Sequence, residues 1–152
     1  MHDLDRLWSN TKQLPFGIRE LCQGGMIVNP LLIFFLVLPI FNWNINGREV
    51  SYQELWISGA GWVLFIVTVL GSLGAWGMAA RFPITRWACV LMPTLPILVA
   101  ALYPSSWFIQ ELFADVLTPL SALITSVVIY ACLFHLPSVR RYFFSKNETN
   151  LS

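Results

Sequence analysis

Charge is what this chain has least of. Only 11% of its 152 residues are Asp, Glu, Lys or Arg, against roughly a quarter in a soluble domain. So few charges cannot coat a water-facing surface, which argues against a soluble globular protein. The formal net charge of +1 gives no pull toward nucleic acid, and no nucleic-acid partner is expected. Histidine is as scarce: His2 and His135 stand at opposite ends of the chain. Metal binding needs several ligands in register, so no metal site is expected. The three cysteines, Cys22, Cys89 and Cys132, are an odd count without a C-x-x-C pair. A disulfide framework is therefore not expected, and Cys89 and Cys132 read as small apolar packing residues. The first 25 residues lack a continuous apolar core and carry Asp3, Asp5, Arg6, Lys12, Arg19 and Glu20. That pattern is not a cleavable signal peptide.

What the chain does have is long apolar runs. Ile57 to Ala80 holds 24 residues without a charge, enough to cross a hydrocarbon core of ~30 Å at ~1.5 Å per residue with some tilt. Further runs lie at 26–42, 87–103 and 116–134. The expected fold is all-α: a polytopic membrane protein, a bundle of four transmembrane helices over 26–135. Residues 1–25 form a leader with Leu4, Leu7 and Trp8 on one face of a possible interfacial helix, and Gly24-Gly25 serves as its joint to the first span. Residues 136–152 form a basic, aromatic anchor followed by a polar tail.

Local signals refine the runs. Asn29-Pro30 reads as an N-cap with proline at the first helical position, and Pro39 as a kink in the last turn of the first span. Asn46-Gly47 is a turn signal. Ser51 to Glu54 reads as a capping box that starts a helix near Tyr52. Thr85 could cap the third span, which Pro93 and Pro96 interrupt. Freed carbonyls at such a break need partners, and transporters use breaks of this kind as binding sites.

Small residues mark packing faces. Gly71, Ala75 and Ala79 are spaced by four on one side of the second span, with Gly74 and Gly77 widening the groove. Thr118, Ala122 and Ser126 make a second ladder on the fourth span. Ladders of this kind let helices approach closely. The second ladder is expected to meet the first, or either to meet a second copy.

Cations set the orientation. Arg6, Lys12, Arg19, Arg81, Arg86, Arg140, Arg141 and Lys146 all fall on one side of the four runs, and Arg48 alone on the other. Lysine and arginine stay on the cytoplasmic side, so both termini are expected there. Arg81 and Arg86 act as topology anchors in the turn after the second span. Arg140 and Arg141, beside Tyr142 to Phe144, suit an anionic leaflet.

The runs contain no Asp, Glu, Lys, Arg or His in their central turns. Intramembrane ionisable residues are costly and normally functional, so a proton relay has no carrier here. Ser105 and Ser106 lie on the side opposite His135 and cannot pair with it as nucleophile and base. Glu111 and Asp115, about one turn apart, could bind a cation at the outer interface. No catalytic residue and no cofactor site is assigned. Four spans also suit membrane thiol oxidases, but those need cysteine pairs on the outer side, and none lies there.

Gly47-Arg48-Glu49-Val50-Ser51, the Gly-rich run ending in Arg81-Phe82-Pro83, and Pro137-Ser138-Val139-Arg140-Arg141-Tyr142-Phe143 together resemble a loose group of small four-span bacterial inner-membrane proteins. The resemblance is spread over residues 45–143. It implies a bacterial inner-membrane location and brings no activity with it. The function expected is non-enzymatic: an accessory or assembly protein whose partners are the lipid bilayer and either another membrane protein or further copies of itself. An oligomeric transporter or channel subunit for a small solute is the alternative, and a membrane enzyme at the outer interface the third.

Overall fold

The helix over Ala60–Ala79 is the axis on which the rest packs. The computed structural model describes residues 2–45, 47–100, 102, 106–113 and 117–144. It is mostly helical. In chain order come α1 (His2–Thr11), α2 (Phe16–Val37), β1 (Trp43–Ile45), β2 (Arg48–Val50), α3 (Tyr52–Ile57) and α4 (Ala60–Ala79). A 3-10 turn, Pro83–Thr85, then leads to α5 (Arg86–Leu91), α6 (Leu95–Ala100), α7 (Trp107–Phe113), α8 (Leu117–His135) and α9 (Pro137–Phe144).

Helix α2 lies antiparallel along α4. A Cβ on Gly25 would stand 3.0 Å from the Ala75 Cβ, and one on Gly71 would stand 2.5 Å from the Asn29 amide nitrogen. Helix α5 takes another side of α4. There a Cβ on Gly74 would overlap the Cys89 sulfur, and one on Gly77 would overlap the Thr85 side chain. Bare backbone is what lets these helices approach, so that dispersion contacts form along them.

Helices α2 and α4 are each long and apolar enough to cross a membrane. Residues Pro119–His135 with Pro137–Phe144, bent by 58° at their junction, make a third crossing if read as one. The run at 87–103 is split. Helix α5 ends at Leu91, residues 92–94 form a turn, and α6 starts at Leu95. Pro93 removes a backbone donor at the break, which is sufficient cause.

Several boundaries differ from the sequence reading. Helix α2 starts at Phe16, ten residues before the expected 26, and runs straight through Gly24-Gly25. Gly25 is a helix contact there, not a joint. Pro30 lies inside α2 and not at its start. The helix ends at Val37, and Leu38 is extended, with ψ 123°, because a residue before proline is pushed out of the helical region. Pro39 thus stops the helix instead of kinking it. The second run opens with α3, breaks at Gly59 in a left-handed conformation (φ 85°), and resumes as α4.

The loop between α2 and α3 is an antiparallel hairpin, Trp43 opposite Val50 and Ile45 opposite Arg48. It closes around Gly47, whose amide donates to the Asn44 side-chain oxygen at 3.0 Å; Asn46 lies outside the described residues. Val50, Leu36, Leu55 and Ala60 form a buried cluster beneath it. A larger cluster joins Leu14, Cys22, Met26, Ala75, Met78, Ala79, Leu133, Val139, Tyr142 and Phe143 at the opposite end of α4.

Because Thr85 is backed by the turn and Asn29 offers only a flexible side-chain tip, the two glycine contacts should differ in tolerance. Gly77→Ala is expected to cost about 1–3 kcal/mol by overpacking, and Gly71→Ala clearly less. Thermal midpoints of the two variants in mild detergent check this ranking.

Candidate functional site: the arginine-rich end

A helix leaves its last four carbonyls without intrahelical donors. At the end of α4 the adjacent backbone serves Trp76 and Gly77, and distant side chains add donors to Met78 and Ala79. The Asn10 side chain donates to the Ala79 carbonyl at 3.0 Å. The Tyr142 hydroxyl donates to Met78 O at 2.9 Å, and the Cys22 thiol to Ala75 O at 3.2 Å. The backbone completes the set: Arg81 N–H bonds to Met78 O at 3.0 Å and Phe82 N–H to Gly77 O at 2.8 Å. That is a Schellman ending, with arginine where glycine is usual. Arg81 has φ 60°, a conformation that costs a side-chain-bearing residue about 1–2 kcal/mol. Its guanidinium lies 4.7 Å from the centre of the Tyr142 ring and donates to the Gln13 side-chain oxygen. Those contacts offset the strain.

Arg86 is the more unusual group. It is only 8% exposed. Its guanidinium sits between two rings, 4.3 Å from the centre of Phe134 and 4.9 Å from that of Phe143. Nε donates to Pro83 O at 3.0 Å and one terminal nitrogen to Leu133 O at 3.3 Å. Both acceptors are neutral. Trp87, next in sequence, packs against Phe134 and Tyr130 at 4.9 and 5.9 Å.

The expected anchors therefore divide. Arg81 and Arg86 are structural cations packed on aromatic rings, whereas Arg140 and Arg141 are exposed on α9. The expected ladders divide too. Gly71 and Ala75 face α2, Gly74 faces Cys89 of α5, and Gly77 faces Thr85 of the turn before it. Ala79 is fully buried in the cluster at this end. Ser126 is buried, but it donates to the Val90 carbonyl of α5 at 2.9 Å. Helix α8 thus packs on α5 instead of meeting the Gly71 ladder, because α2 already occupies that face. Ala122 is half-buried, and the side chain of Thr118 lies outside the described residues. Thr85 does not cap α5; its hydroxyl donates back to Phe82 O at 2.6 Å.

The hairpin end is built differently. Ser51 accepts from the Glu54 amide at 3.3 Å, one half of the expected capping box. The Glu54 carboxylate does not reach back; it pairs with Arg48 at 2.6 Å. Arg48 also lies 4.3 Å from the centre of the Trp107 ring. The indole nitrogens of Trp43, Trp56 and Trp107 are buried there without an acceptor. Glu111 is exposed on α7, and Asp115 lies outside the described residues. Among the described residues no group of three or more His, Cys, Asp and Glu side chains stands close enough to hold a metal.

No protein-family model, curated protein or solved structure matches this chain.

Sequence reasoning missed Asn10, Gln13, Cys22, Phe134 and Tyr142 as partners of α4 and its turn. The available signal was the end of α4 itself: Ala79-Ala80-Arg81 puts no glycine where the chain turns left-handed, so side-chain contacts must hold the turn. Tyr142→Phe removes one of two donors to the Met78 carbonyl, which keeps the Arg81 N–H. It is expected to cost about 0.5–1.5 kcal/mol, the net worth of one hydrogen bond, seen as a lowered thermal midpoint in detergent; an unchanged midpoint would show that the bond contributes nothing.

Proposed function

We propose that this chain is an integral protein of a bacterial inner membrane, crossing four times with both termini in the cytoplasm, and that it serves there as an accessory or assembly partner of other membrane components. The eight-to-one division of lysine and arginine supports the orientation. In this reading α5 and α6 together make one broken crossing, and α8 makes another.

The observation that carries the partner role is the outward side of α8. Ser121 and Thr125 are exposed there, four residues apart, among exposed Leu120, Leu123, Ile124, Val127 and Val128. The Thr125 hydroxyl donates to the Ser121 carbonyl at 2.7 Å, so it is satisfied within its own helix. That leaves a face shallow enough for another helix and apolar enough to stay in the bilayer. The Gly71 face is already filled by α2, so α8 is the better docking helix.

A second reading, an oligomeric subunit of a transporter or channel, has the turn at 92–94 in its favour. There the Thr94 carbonyl accepts from both the Ile97 and Leu98 amides, at 3.2 and 3.3 Å. A few helices enclose no path alone, so this reading requires a homo-oligomer.

Both readings are tested on the native protein in mild detergent. Ser121→Leu with Thr125→Leu should leave the thermal midpoint within about 0.5 kcal/mol equivalent, as surface changes do, yet change native migration or the set of co-purified membrane proteins. An unchanged migration and partner set would count against docking through α8. A homo-oligomer would move the weight to the transporter reading, and a strict monomer would remove it. A reporter fused after Ser152 should be active only inside the cell.

A further inference from the structure

Arg86 is a buried, permanent cation with no buried anion beside it among the described residues. Arginine keeps its proton at any physiological pH, and an uncompensated buried charge is costly. Of its five N–H groups, only Nε and one terminal nitrogen find acceptors, Pro83 O and Leu133 O. Described acidic side chains are engaged elsewhere: Glu20 with Arg19, Glu54 with Arg48, and Glu49 with the Asn42 amide, while Glu111 lies on α7, whose Trp107 packs on Arg48 at the hairpin end. What stands near Arg86 is another cation. Arg140 and Phe143 are three residues apart on α9 and share a face, and the Phe143 ring lies against the Arg86 guanidinium. Arg140 itself is exposed. A buried arginine stacked on Phe143 and a second arginine one turn away on α9, with no carboxylate bonded to either among the described residues, leave room for an external anion.

We propose that Arg86 and Arg140 form a seat for the phosphate of an anionic lipid headgroup. A guanidinium pair suits a phosphate, whose oxygens accept charge-assisted, often bidentate bonds. The surroundings favour a lipid over free phosphate. Phe82 and Ile84, in the turn just before Arg86, are 60% and 73% exposed, and Trp87 and Phe144 are exposed as well. Apolar side chains around a cationic seat suit the boundary between acyl chains and headgroups. Arg141, also exposed on α9, adds repulsion against a headgroup that carries its own cation, so phosphatidylglycerol should be preferred to phosphatidylcholine. The seat depends on the chain residing in a bilayer and not on the partner role of α8.

The test uses the full chain in mild detergent, titrated with dioleoylphosphatidylglycerol, dioleoylphosphatidylcholine or inorganic phosphate. Bound lipid is read by native mass spectrometry and stability by the thermal midpoint. Phosphatidylglycerol should bind saturably, with half-saturation about tenfold below that of phosphatidylcholine, the size expected of one or two charge-assisted bonds. Arg140→Gln should remove most of that preference without moving the lipid-free midpoint. Arg141→Gln should weaken it far less. Arg86→Gln, if it folds, should abolish it. Equal binding of the two lipids, or wild-type behaviour of Arg140→Gln, would overturn the seat. Stabilisation by inorganic phosphate equal to that by phosphatidylglycerol would overturn the lipid assignment. A chain that remains in phosphatidylcholine vesicles but shows no lipid preference sinks only the seat; one that leaves the vesicles sinks the membrane reading.

Discussion

The constraint on which this structure rests is the end of α4, where a helix of 20 residues stops inside protein and not in water. Its terminal carbonyls cannot be left dry and unpaired, since each would cost about 1–3 kcal/mol. The amides of the following turn serve three of them, and side chains of α1 and α9 add donors to Ala79 and Met78, while Cys22 of α2 bonds to Ala75 O just before the last turn. One backbone requirement therefore gathers segments that are far apart in sequence. It also explains why residues 2–14 fold back onto the bundle, with Thr11 and Leu14 buried, and why α9 turns sharply away from α8.

The two ends of the bundle solve the same problem with different chemistry. At the arginine-rich end, cations stack on aromatic rings and polar side chains feed carbonyls. At the hairpin end, a short two-stranded ribbon covers Leu36, Leu55 and Ala60, and the Arg48–Glu54 pair closes it. Between the ends the contacts are small residues and dispersion. The α4 glycines admit α2 on one side and α5 with the turn before it on the other. That use of the ladder transfers the unpartnered apolar surface to the outward sides of α2 and α8.

The sequence made legible whatever is decided locally. The uncharged run before Arg81, the Ser51 cap, the turn at Gly47 and the helix break at Pro93 each depend on a few neighbouring residues, and each has its counterpart in the fold. Less was legible where distant contacts decide. Glycines 24 and 25 look like a joint until Ala75 is placed against one of them. Strands of three residues carry too little periodicity to be read. The Ser126 hydroxyl could have served α4 or α5, and only the packing of α2 settles which. Arg81 and Arg86 read as topology charges because nothing in their neighbourhood in sequence announces Phe134, Tyr142 or Phe143 as stacking partners.

A turn of six residues between two helices, two of them arginines, would ordinarily exchange its amide hydrogens within seconds. Here Ala80, Arg81 and Phe82 donate to Trp76, Met78 and Gly77 at 2.9, 3.0 and 2.8 Å, beneath α1 and α9. Hydrogen–deuterium exchange of the full chain in lipid nanodiscs is the most direct measurement. If the end of α4 is clamped as described, these three amides should be protected as strongly as the interior of α4. Exchange at the rate of an open loop would contradict the clamp and, with it, the arrangement of both termini around the bundle.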